Sequence, residues 1–186
     1  MKSIVSLFRS FGAKITLILI LSMLFSGAMA NFLIYKYALD NQFGQLRDKL
    51  KTIAVMSALE IDAEALGRIP LSEDAVNTAD YKAVADRMRL IRNAVPSIKY
   101  IYTLAKTENP GILKFIVDLE NKDKSDTPSA KPGEEYDASG FSQMLAGFDA
   151  PASDDKMDRD KWGVFLSGYA PVRDARGNTV AIVGVD

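Results

Sequence analysis

The residue types of this 186-residue chain narrow its possible chemistry at once, because it contains no histidine and no cysteine. Without them it has no disulfide, no thiolate nucleophile, no imidazole base, and no zinc or haem site of the Cys/His type. A serine hydrolase would need a Ser-Lys pair, and no Ser-x-x-Lys element with supporting motifs is visible. Without histidine an enzyme would rely on Asp or Glu, and no paired-carboxylate element stands out on a strand end, so we expect neither an enzyme nor a metal or cofactor site.

The side chains best suited to bind a ligand are aromatic or polar and lie on predicted strands and on a long segment between them. Phe165, Ser167 and Tyr169 alternate along one strand and so point to one side, which is the geometry of a pocket wall. Aromatic walls with a few polar groups are typical of small-molecule sites. Each aromatic residue can instead be an ordinary core side chain with a hydrogen-bonded polar tip. The candidate ligand-binding residues are Tyr102, Asp118, Tyr136, Trp162, Ser167 and Tyr169.

Acidic side chains offer a second kind of chemistry. Asp118 closes an apolar run, where a buried carboxylate needs a partner, and it either recognises a ligand amine or caps the next turn. A run of aspartates further along lacks the ligand spacing of a calcium-binding EF-hand loop, so we predict a solvated loop. Its members are Asp149, Asp154, Asp155, Asp158 and Asp160.

The N-terminal element has the composition of a membrane span. Residues 15–34 carry no charge, and a helix of that length spans about 30 Å, the hydrocarbon thickness of a bilayer. The basic residues Lys2, Arg9 and Lys14 precede it, which places the N-terminus in the cytoplasm. The alternative is a signal peptide cleaved after Ala30.

Two helices follow in the pattern of apolar residues. A stripe from Leu39 to Ile53, at spacings of three and four, indicates either a coiled coil or a helix packed on the domain's own sheet. A second helix begins at a cap, Thr78 or Asp80, and ends before Pro96.

The apolar period then changes to two, which predicts strands. Residues 98–104 and 113–119 form one hairpin around the turn 109–111, and residues 162–172 and 179–186 form another. Residues 120–161 between them are predicted to be irregular, with one short helix at 141–148. The predicted fold is α+β, with a long N-terminal helix packed on an antiparallel sheet.

Several stretches resemble the extracytoplasmic Cache (PAS-like, PDC) sensor domains of bacterial transmembrane receptors. The resemblance covers about residues 37–186 and is strongest over 160–174 and 177–186. These stretches read DKWGVFLSGYAPVRD and GNTVAIVGVD, and weaker ones read IKYIYTL (98–104), FIVD (115–118) and PGEEY (132–136).

The resemblance implies a small-molecule sensor whose ligand lies between the sheet and the segment that crosses it. It implies three regions: a cytoplasmic flank (1–14), a transmembrane signal-anchor helix (15–36) and a periplasmic sensor domain (37–186) that is incomplete at its C-terminal end. We expect a single span in the bacterial inner membrane and a homodimer formed through the 37–60 helix. Occupancy would be passed to the cytoplasm through the N-terminal helix, to an output domain beyond residue 186 of the histidine kinase, diguanylate cyclase, HD-GYP or chemotaxis type.

Charge bears on the remaining alternatives. The net charge of −1 gives no reason to expect nucleic-acid binding, and it combines a basic head with an acidic body. Two other functions stay open on the sequence: an envelope hydrolase that uses Asp or Glu, and a structural envelope protein that only oligomerises.

Overall fold

The computed structural model describes residues 11–119, 129–160 and 163–186. The helices are α1 (Phe11–Glu60), α2 (Ala63–Arg68), α3 (Ala79–Ala94) and α4 (Ser142–Ala146), with a 3-10 helix at Glu73–Asn77. The strands are β1 (Ile101–Lys106), β2 (Ile112–Asp118), β3 (Glu135–Asp137), β4 (Ala152–Ser153), β5 (Asp158–Arg159), β6 (Val164–Phe165), β7 (Gly168–Arg173) and β8 (Thr179–Val185). The described residues divide into two compact units between Gln45 and Leu46.

The first unit, as far as the structure describes it, consists of the part of α1 up to Gln45. Its apolar window is exposed throughout. It is the one helix in the described ranges that is long and apolar enough to cross a bilayer. Length and composition of this kind are shared by membrane spans and signal sequences.

The second unit is built on a six-stranded antiparallel sheet in the order β3-β2-β1-β8-β7-β4. This confirms the α+β prediction, and the β1–β2 and β7–β8 hairpins lie close to where the alternation predicted them. Strand β8 pairs with β1, so the two hairpins lie side by side. The central strands β1 and β8 are thus the first and the last strands along the described chain.

The segment predicted to be irregular is more ordered than expected, and that prediction is wrong in its described part. Helix α4 lies inside the predicted 141–148 helix, but β3, β4 and β5 also form. Strands β3 and β4 pair with the outer edges of β2 and β7, and β5 pairs with β6. Strands of two or three residues are too short to show a period of two, so the sequence pattern did not reveal them.

The helix boundaries follow the predicted signals. The Thr78 hydroxyl accepts a hydrogen bond from the Tyr81 amide at 3.2 Å and caps α3, which ends at Ala94, before Pro96. Within the second unit, the residues of the apolar stripe of α1 differ in burial: Leu50 is buried, whereas Leu46 is 42% exposed. Leu50 therefore packs on the domain's own core, as one of the two readings of the stripe required.

The sheet has two faces of different character. On the helical face lie side chains such as Ile101, Val183 and Val185, all fully buried. Helices α2 and α3 pack against β8, β1 and β2. On the opposite face, which we call the pocket face, residues 129–160 and 163–165 cover the sheet and contribute to a second core. That core contains Leu104, Leu113, Phe115, Tyr136, Met144, Phe148, Tyr169 and Ile182.

Candidate ligand-binding site

A small cavity lies on the pocket face, between the sheet and the segment that covers it. About 20 Å³ of it is open to the centre of a water molecule, which is room for one ordered water or for a group of similar size. The wall is half aromatic or apolar and half polar. Its residues are Tyr102, Tyr136, Phe141, Met144, Asp154, Asp158, Asp160, Phe165, Ser167, Tyr169 and Asp186.

One row across the sheet forms the floor. Tyr102 of β1 and Tyr169 of β7 are both register partners of Gly184 in β8, which lies between them. Partners in antiparallel strands point to the same face, so both rings lie on the pocket face. A Cβ on Gly184 would stand 2.4 Å from the Tyr102 ring, so the ring can lie over β8 because residue 184 has no side chain.

Each pocket tyrosine faces an aspartate. Long hydrogen bonds join the hydroxyl of Tyr102 to Asp186 (3.3 Å) and that of Tyr169 to Asp154 (3.4 Å). A third, from Tyr136, reaches Asp160 at 3.3 Å. Burial raises the pKa of all three phenols, which therefore stay neutral and keep a proton to donate.

Asp154 is the most enclosed of the pocket carboxylates, since it is only 2% exposed. Its Oδ2 accepts a hydrogen bond from the Ser167 amide at 2.8 Å, and its own amide donates to the Ser167 carbonyl at 2.9 Å. Burial raises its pKa to about 6, although the bonds from Ser167 and Tyr169 lower it. The carboxylate is thus fixed in position but costly to ionise.

Asp186 is in a similar state at the end of β8. Burial raises its pKa to about 7, and the negative charges of Asp154 and Asp160 raise it further. Hydrogen bonds from Ser167 and Tyr102 lower it but do not offset the burial. Four carboxylates, counting Asp158, therefore share one small cavity, and none of its described lining residues is basic.

Aromatic contacts hold the rest of the wall. Edge-to-face packing joins Tyr102 to Phe115 and Phe115 to Tyr136, with ring centroids 6.0 and 5.9 Å apart. Tyr136 in turn lies 5.6 Å from Phe141, which is adjacent to α4. The chain of rings links β1 and β2 to the covering segment.

The structure brings four of the six candidate residues together at this cavity, namely Tyr102, Tyr136, Ser167 and Tyr169. Phe165 also lines the cavity, but the single strand predicted over 162–172 is wrong in its described part, because β6 ends at Phe165 and β7 begins at Gly168. Asp118 does not line the cavity. Its carboxylate accepts a hydrogen bond from the Ala130 amide at 2.7 Å, where the covering segment meets the sheet, and its ligand role stays a prediction. Trp162 lies outside the described residues.

The aspartate partners of the tyrosines were missed from sequence. The prediction of a solvated acidic loop is wrong for Asp154, which is buried, whereas Asp149 and Asp155 are exposed as expected. Asp186 follows Ile182 and Gly184 at the period of two, so the alternation of β8 already placed it on the pocket face. Nothing in the local sequence distinguishes Asp154 from its exposed neighbour.

A metal ion is not the occupant that this arrangement suits. Within the described ranges, no three acidic side chains are grouped closely enough to hold one. The carboxylates instead surround the cavity, and those of Asp154, Asp160 and Asp186 each lie beside a tyrosine hydroxyl. Such a wall can accept hydrogen bonds from several directions around a small cationic group.

No protein-family model matches the sequence, and no curated protein matches it either. Solved structures with a similar fold include the sensory domain of the Campylobacter jejuni chemoreceptor Tlp3 (CcmL), at 10% identity and a TM-score of 0.47. The match covers 80% of this chain and 53% of that one. The ligand-binding domain of the same receptor in complex with L-valine matches at 10% identity and a TM-score of 0.46, over the same shares of both chains.

A domain of a putative sensory box/GGDEF family protein from Vibrio parahaemolyticus matches at 12% identity and a TM-score of 0.43, over 78% of this chain and 54% of that one. The chain thus spans about half the length of each of these structures. Identities of 10–12% and TM-scores below 0.5 assign no function to this chain.

Proposed function

We propose that the chain is the ligand-binding sensor of a membrane-anchored receptor, and that its ligand is a small molecule carrying a protonated amine. The observation that carries the proposal is the cavity on the pocket face, with its four carboxylates and three tyrosine hydroxyls. A binding role without catalysis also agrees with the residue types, since the chain has no histidine or cysteine.

The sign of the ligand charge follows from the cost of ionising the wall. Burial and mutual repulsion raise the pKa of Asp186 to about 7, and burial raises that of Asp154 to about 6. A cation in the cavity relieves both costs, because it attracts each carboxylate and replaces part of the lost hydration. An anionic ligand would increase them.

The cavity also limits ligand size. Its present volume admits an ammonium group, and the rest of any larger amine has to displace the covering segment. The ammonium group would lie among the carboxylates, and the remainder of the ligand would lie against the rings of Phe141 and Phe165. Aromatic faces also attract a cation directly.

The membrane and dimer assignments belong to the same proposal. The apolar part of α1 would anchor the chain in the bacterial inner membrane, with the sensor in the periplasm and the homodimer formed through residues 37–60. The uncharged run of residues 15–34 and the basic residues before it support this orientation. Occupancy would then be passed along α1 to an output domain in the cytoplasm.

The test is a thermal-shift and calorimetry screen of the full chain in detergent micelles at pH 8. The probes are methylammonium, L-valine and L-isoleucine, with acetate and tetramethylammonium as controls for charge sign and for hydrogen-bond donation. We expect saturable binding of methylammonium or of a larger primary amine and none of acetate. Binding of acetate alone, or of no amine, would refute the proposed ligand class.

The variant Asp154→Asn tests whether the amine binds in this cavity. It removes the negative charge of residue 154 but keeps an oxygen acceptor for the Ser167 amide. It should weaken amine binding at least tenfold. Asp155→Asn is the matched control, since Asp155 is adjacent but 64% exposed, and it should leave binding unchanged.

A further inference from the structure

The turn of α1 at residues 47–51 lies directly behind the cavity. A Cβ on Gly168 would stand 2.4 Å from the carbonyl carbon of Leu50, so the helix backbone touches β7 at this residue. Gly168 lies between Ser167 and Tyr169, which both line the cavity. Gly168 thus contacts the helix on one face of the sheet, while its two chain neighbours line the cavity on the other.

Arg47 extends this contact around the edge of the sheet. Its Nε donates a hydrogen bond to the Asp154 carbonyl at 2.6 Å, and Nη2 donates to the Ser153 carbonyl at 3.4 Å. The guanidinium also forms an ion pair with Asp155. One side chain on α1 therefore binds two consecutive backbone carbonyls and the side chain of the next residue, and the middle residue of the three supplies the most buried carboxylate of the cavity.

Asp154 is consequently held on two sides. Its carboxylate faces the cavity, where it meets Ser167 and Tyr169, while its carbonyl is bound by Arg47. A displacement of Asp154 toward a bound cation must either carry Arg47 with it or break a charge-assisted hydrogen bond. The fork of the guanidinium makes the connection directional, which a lysine could not do.

We propose that Arg47 is a positioning residue that couples occupancy of the cavity to helix α1. The inference rests on the proposed function, because it needs a ligand that acts on Asp154. Two sites coupled in this way must respond to each other. Ligand binding should therefore change the local stability of α1, and removal of the guanidinium should abolish that change.

A second arginine provides a matched comparison. Arg173 of β7 also binds the covering segment through a carbonyl, that of Asp149, at 2.7 Å. It also binds the Gly177 carbonyl at 3.0 Å. Its contacts stabilise the same segment without involving α1, so it separates coupling from simple anchorage.

The experiment is hydrogen exchange on the full chain in micelles, with and without saturating methylammonium, read on peptides covering residues 46–60. In the unmodified chain and in Arg173→Ala we expect exchange in this part of α1 to change at least twofold on binding. In Arg47→Ala we expect no change, with affinity within about threefold of the unmodified value. Arg47→Lys, which keeps the charge and the aliphatic stem, covers the case in which Arg47→Ala fails to fold, and should show less than half of the response.

The outcomes separate the two proposals. If the unmodified chain binds no methylammonium, the proposed ligand class fails and this inference falls with it. If it binds but α1 does not respond, or if Arg47→Ala and Arg47→Lys respond fully, the ligand assignment stands and the coupling role of Arg47 is refuted.

Discussion

The two faces of the sheet use the same strands for different purposes. Strand β8 contributes Val183 and Val185 to the helical face and Gly184 and the adjoining Asp186 to the pocket face. The helical face is closed, whereas the pocket face keeps a cavity bordered by carboxylates that are costly to ionise. The helical face therefore supplies packing, while the pocket face combines a packed core with the polar groups that binding needs.

The largest effect on stability should come from adding a side chain at Gly168, where α1 and β7 are in closest contact on the helical face. In Gly168→Ala the new Cβ would meet backbone atoms of Leu50 and Lys51, which cannot rotate away. We expect a loss of about 3 kcal/mol in the free energy of unfolding, at the upper end for overpacking. Urea denaturation followed by circular dichroism measures it. Gly140→Ala, where nothing lies within 4 Å, is the control and should change stability little.

The next largest effect is a pH-dependent gain in the free energy of unfolding when Asp118, at the border of the pocket face, is replaced. Burial raises the pKa of Asp118 to about 7, against 3.8 for an ordinary aspartate. The folded state therefore holds a proton that the unfolded chain releases, so stability should decline as the pH rises from about 4 to about 7. Asp118→Asn keeps an acceptor for the Ala130 amide and cannot ionise.

We expect Asp118→Asn to be more stable than the unmodified chain at pH 8, by about 2 kcal/mol, and equal to it at pH 4. Denaturation at the two pH values tests this. Asp137→Asn is the opposite case, because Ser139 lowers the pKa of Asp137, and it should gain nothing at pH 8. A gain of equal size at both pH values would show that charge is not the cause.

A smaller gain is expected on the helical face. Ser57 of α1 is 1% exposed, and its hydroxyl has no hydrogen-bond partner within the described part of the chain. Ser57→Ala removes this unsatisfied group and should raise the free energy of unfolding by about 1 kcal/mol. Ser139→Ala, which deletes a hydroxyl bonded to Asp137, should not. A loss of stability in Ser57→Ala would mean that the helical face contains a polar partner.

The smallest effect on stability belongs to the glycine of the pocket floor. In Gly184→Ala the atoms nearest to the new Cβ are the far end of the Tyr102 ring, which can turn away. We expect less than about 1 kcal/mol of destabilisation but at least a tenfold loss of methylammonium affinity, because Tyr102 leaves the cavity. Calorimetry and denaturation of the same sample give both numbers. Unchanged affinity would remove Tyr102 from the site.

The sequence predicted those features of the two faces that depend on local pattern, namely strand residues and a helix cap. Alternation put Tyr102 of β1 and Tyr169 of β7 on strands, where the structure has them, and the cap at Thr78 marked the start of α3. The Tyr–Asp pairs depend on contacts between distant parts of the chain, such as β1 with the residue that follows β8. The bonds of Arg47 join residues more than one hundred positions apart, and no local period records such a contact.

The central claim is that the pocket face binds a small amine through Asp154 and Asp186. Carbon-13 NMR of the aspartate carboxyl groups, titrated with methylammonium and with pH, reads these residues directly. The account predicts that the Asp154 and Asp186 signals shift and saturate, and that both pKa values fall below about 6 and about 7, because a bound cation favours the ionised form. Shifts confined to exposed carboxylates such as Asp155 and Asp137, with the two buried pKa values unchanged, would contradict it.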